Sequence, residues 1–284
     1  LKYEIYSGAG NSFVMINNIA GTISFNEQQL LTKKLCNEIF TEIDGVIFID
    51  KPINPKSIIR MNYYNRDGSF GAMCGNGARC IAMFAYKNSI VNDKLFILEA
   101  VNDLYFAEIL DDINVKIKFP PPKEVIQNIN LDLYINNLTK KLNLSYVNIG
   151  SDHAVIFIDE NINKMFFGCK SLDKIHINEI GKTIRYHKQF YPRGVNVNFA
   201  AVGTDNLIQL RTYERGVERE TLACGTGIIS TGLIAMLKKG FNEPIEIKVQ
   251  SGEILVVNGK YEGGEIQDLA LIGSAVKISE GEIK

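Results

Sequence analysis

One motif occurs twice in this chain, with its cysteines 150 positions apart. The segment Tyr64-Asn65-Arg66-Asp67-Gly68, running on to Met73-Cys74-Gly75-Asn76-Gly77, has a counterpart in Tyr213-Glu214-Arg215-Gly216, running on to Ala223-Cys224-Gly225-Thr226-Gly227. Two further pairs keep the same order. Asp44-Gly45-Val46-Ile47-Phe48 matches Arg193-Gly194-Val195-Asn196-Val197, and Gly10-Asn11-Ser12-Phe13-Val14 matches Gly150-Ser151-Asp152-His153-Ala154. The offset is 149 from Gly45 to Gly194 and 150 from Cys74 to Cys224. Ordered repetition means one structural plan built twice, so two similar domains facing each other are expected. A length of 284 residues suits about two domains. Pro120-Pro121-Pro122 cannot continue a hydrogen-bonded ladder, and the boundary is placed there.

Hydrophobic periodicity predicts short strands with few helices. Strands are expected at 3–6 and 12–17 around the Ser7-Gly8-Ala9-Gly10-Asn11 turn, then at 46–49, 58–63, 95–100, 104–110 and 113–119. Beyond the prolines they are expected at 145–149, 154–158, 195–201, 207–213, 245–250 and 253–257. Asn26 is the predicted cap of a helix carrying Leu30, Leu31, Leu35 and Ile39 on one stripe. A second helix is predicted over 173–187, with Ile177, Ile180 and Ile184 on one face. Each Cys-Gly-x-Gly opens a further helical stretch, 78–87 in one half and 228–238 in the other.

Composition excludes several function classes. Lys plus Arg is 31 and Asp plus Glu is 32, a net charge of −1. Nucleic-acid binding needs a basic surface that releases counterions, and none is offered here. The same balance argues against an anionic membrane surface, and no uncharged apolar run is long enough to span a bilayer. Leu1-Lys2-Tyr3-Glu4-Ile5 has no apolar signal-peptide core, so a cytoplasmic location is expected. Five scattered cysteines form no disulfide framework and point to a reducing compartment. Cys74 and Cys80 lack metal-ligand spacing and no histidine flanks them, so no metal site is expected.

The repeated turn carries the chemistry. A cysteine at a helix N-terminus meets unpaired N–H groups and the positive dipole end, which make a thiol more acidic. The adjoining glycines let the backbone approach a ligand, so the same N–H groups can hold a carboxylate. Two such turns across a cleft would grip one carboxylate with a sulfur on either side. Stereoinversion at an α-carbon needs that arrangement: one thiolate removes the proton and the opposite thiol delivers another. The N–H groups would stabilise the enolate-like charge that develops. An isolated cysteine is ordinarily a small buried residue, and Cys36, Cys80 and Cys169 are read that way. His176 and His187 are read as surface or helix-packing residues.

At these residues the sequence resembles the diaminopimelate epimerase family of cofactor-independent amino-acid epimerases. Five blocks carry the resemblance, over nearly the whole chain. They are Gly8-Ala9-Gly10-Asn11-Ser12-Phe13-Val14, Asn65-Arg66-Asp67-Gly68-Ser69 with Met73-Cys74-Gly75-Asn76-Gly77-Ala78-Arg79-Cys80, and Gly194-Val195-Asn196-Val197-Asn198-Phe199. Tyr213-Glu214-Arg215-Gly216-Val217 with Glu220-Thr221-Leu222-Ala223-Cys224-Gly225-Thr226-Gly227 follows, then Gly273-Ser274-Ala275 with Glu280-Gly281-Glu282-Ile283. The resemblance implies an α+β fold of two pseudo-symmetric domains, each a mostly antiparallel sheet wrapped around a central helix. Domains of 1–119 and 120–266 are then expected, the tail from about 267 to 284 returning to the first. It implies conversion of LL-diaminopimelate to the meso form, in lysine and cell-wall precursor biosynthesis. The implied partner is a small amino-acid substrate, with no cofactor, no nucleic acid and no membrane; a homodimer is allowed for.

Carried over by position, Cys74 and Cys224 are the acid–base pair. Gly75, Asn76, Gly225 and Thr226 are the cradle of the reacting carboxylate, with Asn11 beside them. Asn65, Asn196, Glu214 and Arg215 resemble the set that grips the distal end, where an ammonium suits Glu214 and a carboxylate suits Arg215. The chain also departs from the family pattern. Gly150-Ser151-Asp152-His153 stands where the family usually has Gly-Asn-Pro-His, and serine cannot both donate and accept as an amide does. The run from Glu214 to Thr221 is one residue longer than the family's Glu-Arg-Gly-x-Gly-Glu-Thr. Asp152 is expected to add a carboxylate to the pocket and favour a cationic or imidazole-bearing substrate. Histidine and lanthionine are therefore alternative substrates for the same mechanism. His153 is read as structural or catalytic. Two other classes are weighed: a hydrolase pairing a cysteine with His153, and a binding protein using Gly8-Ala9-Gly10 as a phosphate loop. The second lacks its context, since a strand follows the glycines.

Overall fold

Two helices are buried on every side. Helix α2 (Gly75–Lys87) is buried throughout from Gly75 to Ala85, and α5 (Gly225–Lys239) from Gly225 to Met236. A helix apolar or small all round has to lie inside its domain, and each is wrapped by a sheet. The computed structural model describes residues 1–135, 138–168 and 171–283. The chain divides into two compact units, Leu1–Pro120 with Ala270–Lys284, and Pro121–Leu269.

In the first unit the strands are β1 (Lys2–Gly8), β2 (Asn11–Asn17), β3 (Gly45–Asp50), β4 (Ile59–Asn65), β5 (Leu95–Ala100) and β6 (Asp103–Ile109). Successive neighbours pair antiparallel, parallel, antiparallel, parallel and antiparallel. Helix α2 fills the crossover from β4 to β5. Strand β7 (Asn114–Lys118) adds to β6 and takes Ala270–Ser274 of β16 (Glu265–Ser274) as its other partner. Strand β17 (Val276–Glu282) lies antiparallel to β1.

The second unit repeats the succession. It contains β8 (Glu124–Ile135), β9 (Leu138–Asn148), β10 (Asp152–Phe157), β11 (Asn196–Val202), β12 (Ile208–Glu214), β13 (Arg219–Thr221), β14 (Ile245–Lys248) and β15 (Ile254–Glu262). From β9 to β10, β11, β12, β14 and β15 the pairings are again antiparallel, parallel, antiparallel, parallel and antiparallel. Helix α5 fills the crossover before β14. The α+β fold of two pseudo-symmetric halves, each a sheet around a helix, is therefore the fold of this chain. Helices α3 (Asn161–Phe167) and α4 (Ile177–Arg185) join Leu131, Leu144, Ile156 and Phe199 in one apolar core. Ile177 and Ile184 enter that core and Ile180 packs against it, as the periodicity predicts.

Three local expectations are corrected. Helix α1 (Phe25–Lys34) is capped by Ser24, not Asn26. Ser24 Oγ accepts from Glu27 N–H at 3.4 Å, and Glu27 Oε2 accepts from Ser24 N–H at 2.8 Å, a reciprocal capping box. Its buried stripe is Gln28, Thr32 and Leu35 with Leu31 beside them, whereas Leu30 is 71% exposed. The polar members hid it. Gln28 is buried because its amide donates to Asp50 at 2.8 Å. Finally, the sequence predicts no strand between the prolines and 145, but the stretch forms the long antiparallel pair β8–β9. Alternating Ile129, Leu131, Leu133 and Ile135 was the available signal, diluted because most of β8 faces solvent.

Candidate active site

Cys74 is the N-cap of α2. Its backbone is extended, and its Sγ accepts from the Gly77 N–H at 3.3 Å. A Cβ at Gly77 would lie 2.7 Å from Ile47 Cδ1 and 3.2 Å from Met61 Cε, so the ends of those two side chains would have to shift to admit it. Asn76, 1% exposed, donates through Nδ2 to Asn11 Oδ1 at 2.7 Å and accepts at Oδ1 from Arg79 Nη2 at 3.1 Å. Asn11 is delivered by a two-residue hairpin turn in which Ala9 and Gly10 both have positive φ, 55° and 86°. Gly8-Ala9-Gly10 is thus a strand-to-strand turn, not a phosphate loop before a helix. Buried Arg79 also donates from Nη1 to Gly75 O at 3.4 Å and from Nε to Ser274 O at 3.3 Å, tying the helix to the returning segment.

The second unit builds the same device with different side chains. Cys224, buried, is the N-cap of α5, and its Sγ lies 3.6 Å from Thr226 Oγ1. Thr226 holds the place of Asn76, and Ser151 that of Asn11. Ser151 Oγ donates to Thr226 Oγ1 at 3.1 Å, so the strand-to-helix contact is repeated. His153 Nε2 is 2.8 Å from Ser151 Oγ and 2.9 Å from Thr226 Oγ1. On the other side of the ring, Asn198 Nδ2 reaches His153 Nδ1 at 3.1 Å. The Asn198 amide is oriented by donating to Ala154 O at 3.1 Å and by accepting from Thr212 Oγ1 at 3.0 Å. His153 Nδ1 is therefore an acceptor, and Nε2 carries the hydrogen. Complete burial, with the Arg215 charge nearby, pulls its pKa down to about 3. The ring is neutral at pH 7 and serves as a hydrogen-bond donor to the two hydroxyls.

The expected distal set is held by internal bonds. Asn196 Nδ2 donates to Asp152 O at 3.0 Å, and its Oδ1 accepts from the Arg215 N–H at 2.9 Å. Glu214 Oε2 accepts from Thr221 Oγ1 at 2.9 Å, and Asn65 Nδ2 donates to Ser69 Oγ at 3.0 Å in the first unit. The extra residue of the Glu214–Thr221 run is absorbed in a loop where Gly216 and Glu218 both have positive φ. Glu218 anchors that loop by accepting from Gly216 N–H at 3.0 Å, Tyr213 OH at 3.1 Å and Arg185 Nε at 3.3 Å.

Asp152 does not offer a carboxylate to a cationic ligand. Its Oδ1 accepts from Tyr146 OH at 2.6 Å, Asn148 Nδ2 at 3.2 Å and Arg193 Nη2 at 3.0 Å. Its Oδ2 accepts from Arg193 Nε at 3.1 Å and Arg215 Nη1 at 2.9 Å. Burial opposes ionisation, but the bonds from Arg193, Tyr146 and Arg215 outweigh it and hold the carboxyl below its ordinary range. Two guanidiniums on one carboxylate leave the cluster positive.

The remaining cysteines and histidines lie elsewhere. Cys36 is buried in the core against α1, where burial pushes its thiol up, and Cys80 is buried on α2. Cys169 lies outside the described residues. His187 accepts from Gln189 N–H at 3.2 Å in a short turn after α4, and His176 is the N-cap of α4. Among the described residues no cluster of three histidine, cysteine or acidic side chains is placed to hold a metal.

The family model described as diaminopimelate epimerase matches residues 3–120 and 145–278. A diaminopimelate epimerase from Hydrogenobaculum sp. is 35% identical over 97% of this chain and 96% of its own. One from Aquifex aeolicus is 32% identical over 100% of this chain and 98% of its own. The chain belongs to the diaminopimelate epimerase family. It is accordingly an isomerase, an epimerase. Among solved structures, a phenazine biosynthesis protein from Bacillus anthracis shares the fold with a TM-score of 0.73 at 13% identity, covering 100% of this chain and 99% of that one. A probable proline racemase from Agrobacterium radiobacter does so with a TM-score of 0.70 at 15% identity, covering 100% and 92%.

Family membership leaves several neighbours of the site unassigned by sequence, among them Tyr146, Arg193 and Asn198. A signal existed for Asn198, which with Asn196 puts two buried amides on one face of an otherwise apolar strand. Tyr146 and Arg193 had none, because what they touch lies on other strands.

Proposed function

We propose that this protein interconverts LL- and meso-diaminopimelate without a cofactor, with Cys74 and Cys224 as the acid–base pair. One observation carries this: each unit independently sets a cysteine at the N-cap of its buried helix, ahead of Gly-x-Gly. Backbone N–H groups at Gly75-Asn76 and Gly225-Thr226 are the donors assigned to the α-carboxylate. One sulfur, as thiolate, takes the α-proton, and the other, as thiol, returns a proton to the opposite face. The carbanion's charge spreads onto the carboxylate oxygens, which the helix N-termini stabilise. One proton leaves and one arrives, so nothing is oxidised or reduced. Asn65, Asn196, Glu214 and Arg215 are assigned to the distal ammonium and carboxylate, Arg215 to the carboxylate. The neutral His153 is assigned to holding Ser151 and Thr226 rather than to proton transfer.

Histidine as substrate loses its motive, because the Asp152 carboxylate is already occupied by Arg193 and Arg215 and the cluster is positive. A cytoplasmic location fits Cys36, Cys74, Cys80 and Cys224, which are thiols and not disulfides. A homodimer completes the reading and is tested by sedimentation. Incubation of LL-diaminopimelate in deuterated water, followed by chiral chromatography and mass spectrometry, tests the reaction. The meso isomer carrying one α-deuterium is expected. No turnover of LL-diaminopimelate would sink the substrate assignment, and a Cys74→Ala enzyme that still epimerises at the wild-type rate would sink the two-cysteine mechanism.

A further inference from the structure

We propose that Asp152 is a positioning residue, clamping the Arg215 guanidinium for the substrate's distal carboxylate, and that Arg193 returns the positive charge the clamp would cancel. This rests on the reading in which Arg215 meets that carboxylate. Arginine has a long side chain whose immobilisation is entropically costly, and a fork held in place before binding loses less when it binds. Arg215 begins the loop after β12, a place where a long side chain needs an external anchor. Its anchor is Nη1, which donates to Asp152 Oδ2 at 2.9 Å and to Gly194 O at 3.2 Å. Among the described residues none bonds Nε or Nη2, so the edge that pairs bidentately with a carboxylate is left for a ligand.

A lone carboxylate in that position would defeat its purpose, because it would neutralise the cation it orients. Arg193 removes the conflict. It grips Asp152 with Nε and Nη2 at 3.1 and 3.0 Å while most of its own side chain, 67%, stays exposed. The Asp152 charge is thereby balanced by Arg193, and the charge of Arg215 is not cancelled. Tyr146 and Asn148 satisfy the remaining capacity of Oδ1, so the buried carboxylate has full hydrogen bonding. Asp152 supplies geometry and Arg193 supplies charge.

The test is steady-state kinetics on the full chain with LL-diaminopimelate, comparing wild type with Asp152→Asn, Arg193→Ala and Arg193→Lys. Melting curves show which variants are folded. Asp152→Asn and Arg193→Ala are expected to raise KM about tenfold while kcat stays within about twofold, since a charge-assisted contact to the distal end is weakened and the α-carbon is untouched. Arg193→Lys restores the charge without the fork and should fall between. Arg193 is largely exposed, so its variants remain informative if Asp152→Asn does not fold. Unchanged KM in the Arg193 variants overturns the proposal, as does a fall in kcat at constant KM. A lower KM in Asp152→Asn also overturns it, by showing that charge outweighs placement. Wild-type protein with no turnover of LL-diaminopimelate overturns the function itself and this proposal with it; wild-type turnover with unaltered variants overturns only the proposal.

Discussion

Gly227→Ala is a one-atom test of how the second unit holds its cysteine turn. A Cβ at this position would lie 2.3 Å from Asn198 Oδ1, closer than real contacts of this type, so the amide has to retreat by about 0.7 Å. Asn198 has little freedom to do so, because it donates to His153 Nδ1 and Ala154 O and accepts from Thr212 Oγ1. Overpacking a tight site costs about 1–3 kcal/mol, and loss of the Thr212 bond adds about 1 kcal/mol. The better helix propensity of alanine offsets up to about 1 kcal/mol. The net is a destabilisation of about 2 kcal/mol, which lowers the melting temperature of a unit this size by roughly 4–8 °C. Activity should fall at least about tenfold, because displacement of Asn198 turns the His153 ring that holds Thr226 beside Cys224. Calorimetry and the epimerisation assay read the two effects. Asn198→Ala removes the obstacle, so the double variant should lose about 1–2 kcal/mol less than the two single losses together. A Gly227→Ala protein that melts and turns over like wild type would refute the packing on which this rests.

Two further outcomes are expected. The His153 imidazole has its pKa pulled from the ordinary 6.5 to about 3. Between those values the unfolded chain binds a proton that the folded one refuses. The contribution is therefore intact above pH 6.5 and lost progressively as pH falls toward 3. Urea unfolding from pH 7 to 4 should show a slope of up to about 1.4 kcal/mol per pH unit from this group, flattened in His153→Gln; identical slopes would contradict its burial as a neutral ring. Thr226→Val keeps shape but removes the hydroxyl that meets Ser151, His153 and the Cys224 sulfur. A stability loss of about 1–2 kcal/mol and a kcat at least about tenfold lower are expected, with KM little changed because the backbone N–H groups remain. An unaltered kcat would place Thr226 outside the chemistry.

Much of the fold was legible along the chain. The repeat is covalent order, and a motif copied in sequence brings its pairing pattern with it, so the second half repeats the strand succession of the first. The helix starts were legible because Gly-x-Gly after a cysteine leaves few alternatives, although both helices begin at that first glycine, three residues earlier than predicted. The β8–β9 hairpin was not, since a strand exposed along most of one face has weak periodicity. Nor was the true face of α1, because Gln28 and Thr32 are buried by bonds and packing that hydrophobicity does not register.

The sign of the charge around Asp152 shows where sequence reading stops. Met as a string, Ser151-Asp152-His153 places an unpaired carboxylate beside the site and invites a cationic substrate. In the folded unit that carboxylate is clasped by Arg193, 41 residues away, and Arg215, 63 residues away, and the cluster turns positive. By itself the sequence determined two similar halves, a cysteine at the head of each central helix, and the family, because these depend on residue order and short-range backbone chemistry. Only the tertiary structure decided the tautomer of His153, the partner of Ser151 and the balance of charge at Asp152. Hydrogen bonds and Coulomb forces act through space between side chains that folding brings together, whatever their distance along the chain.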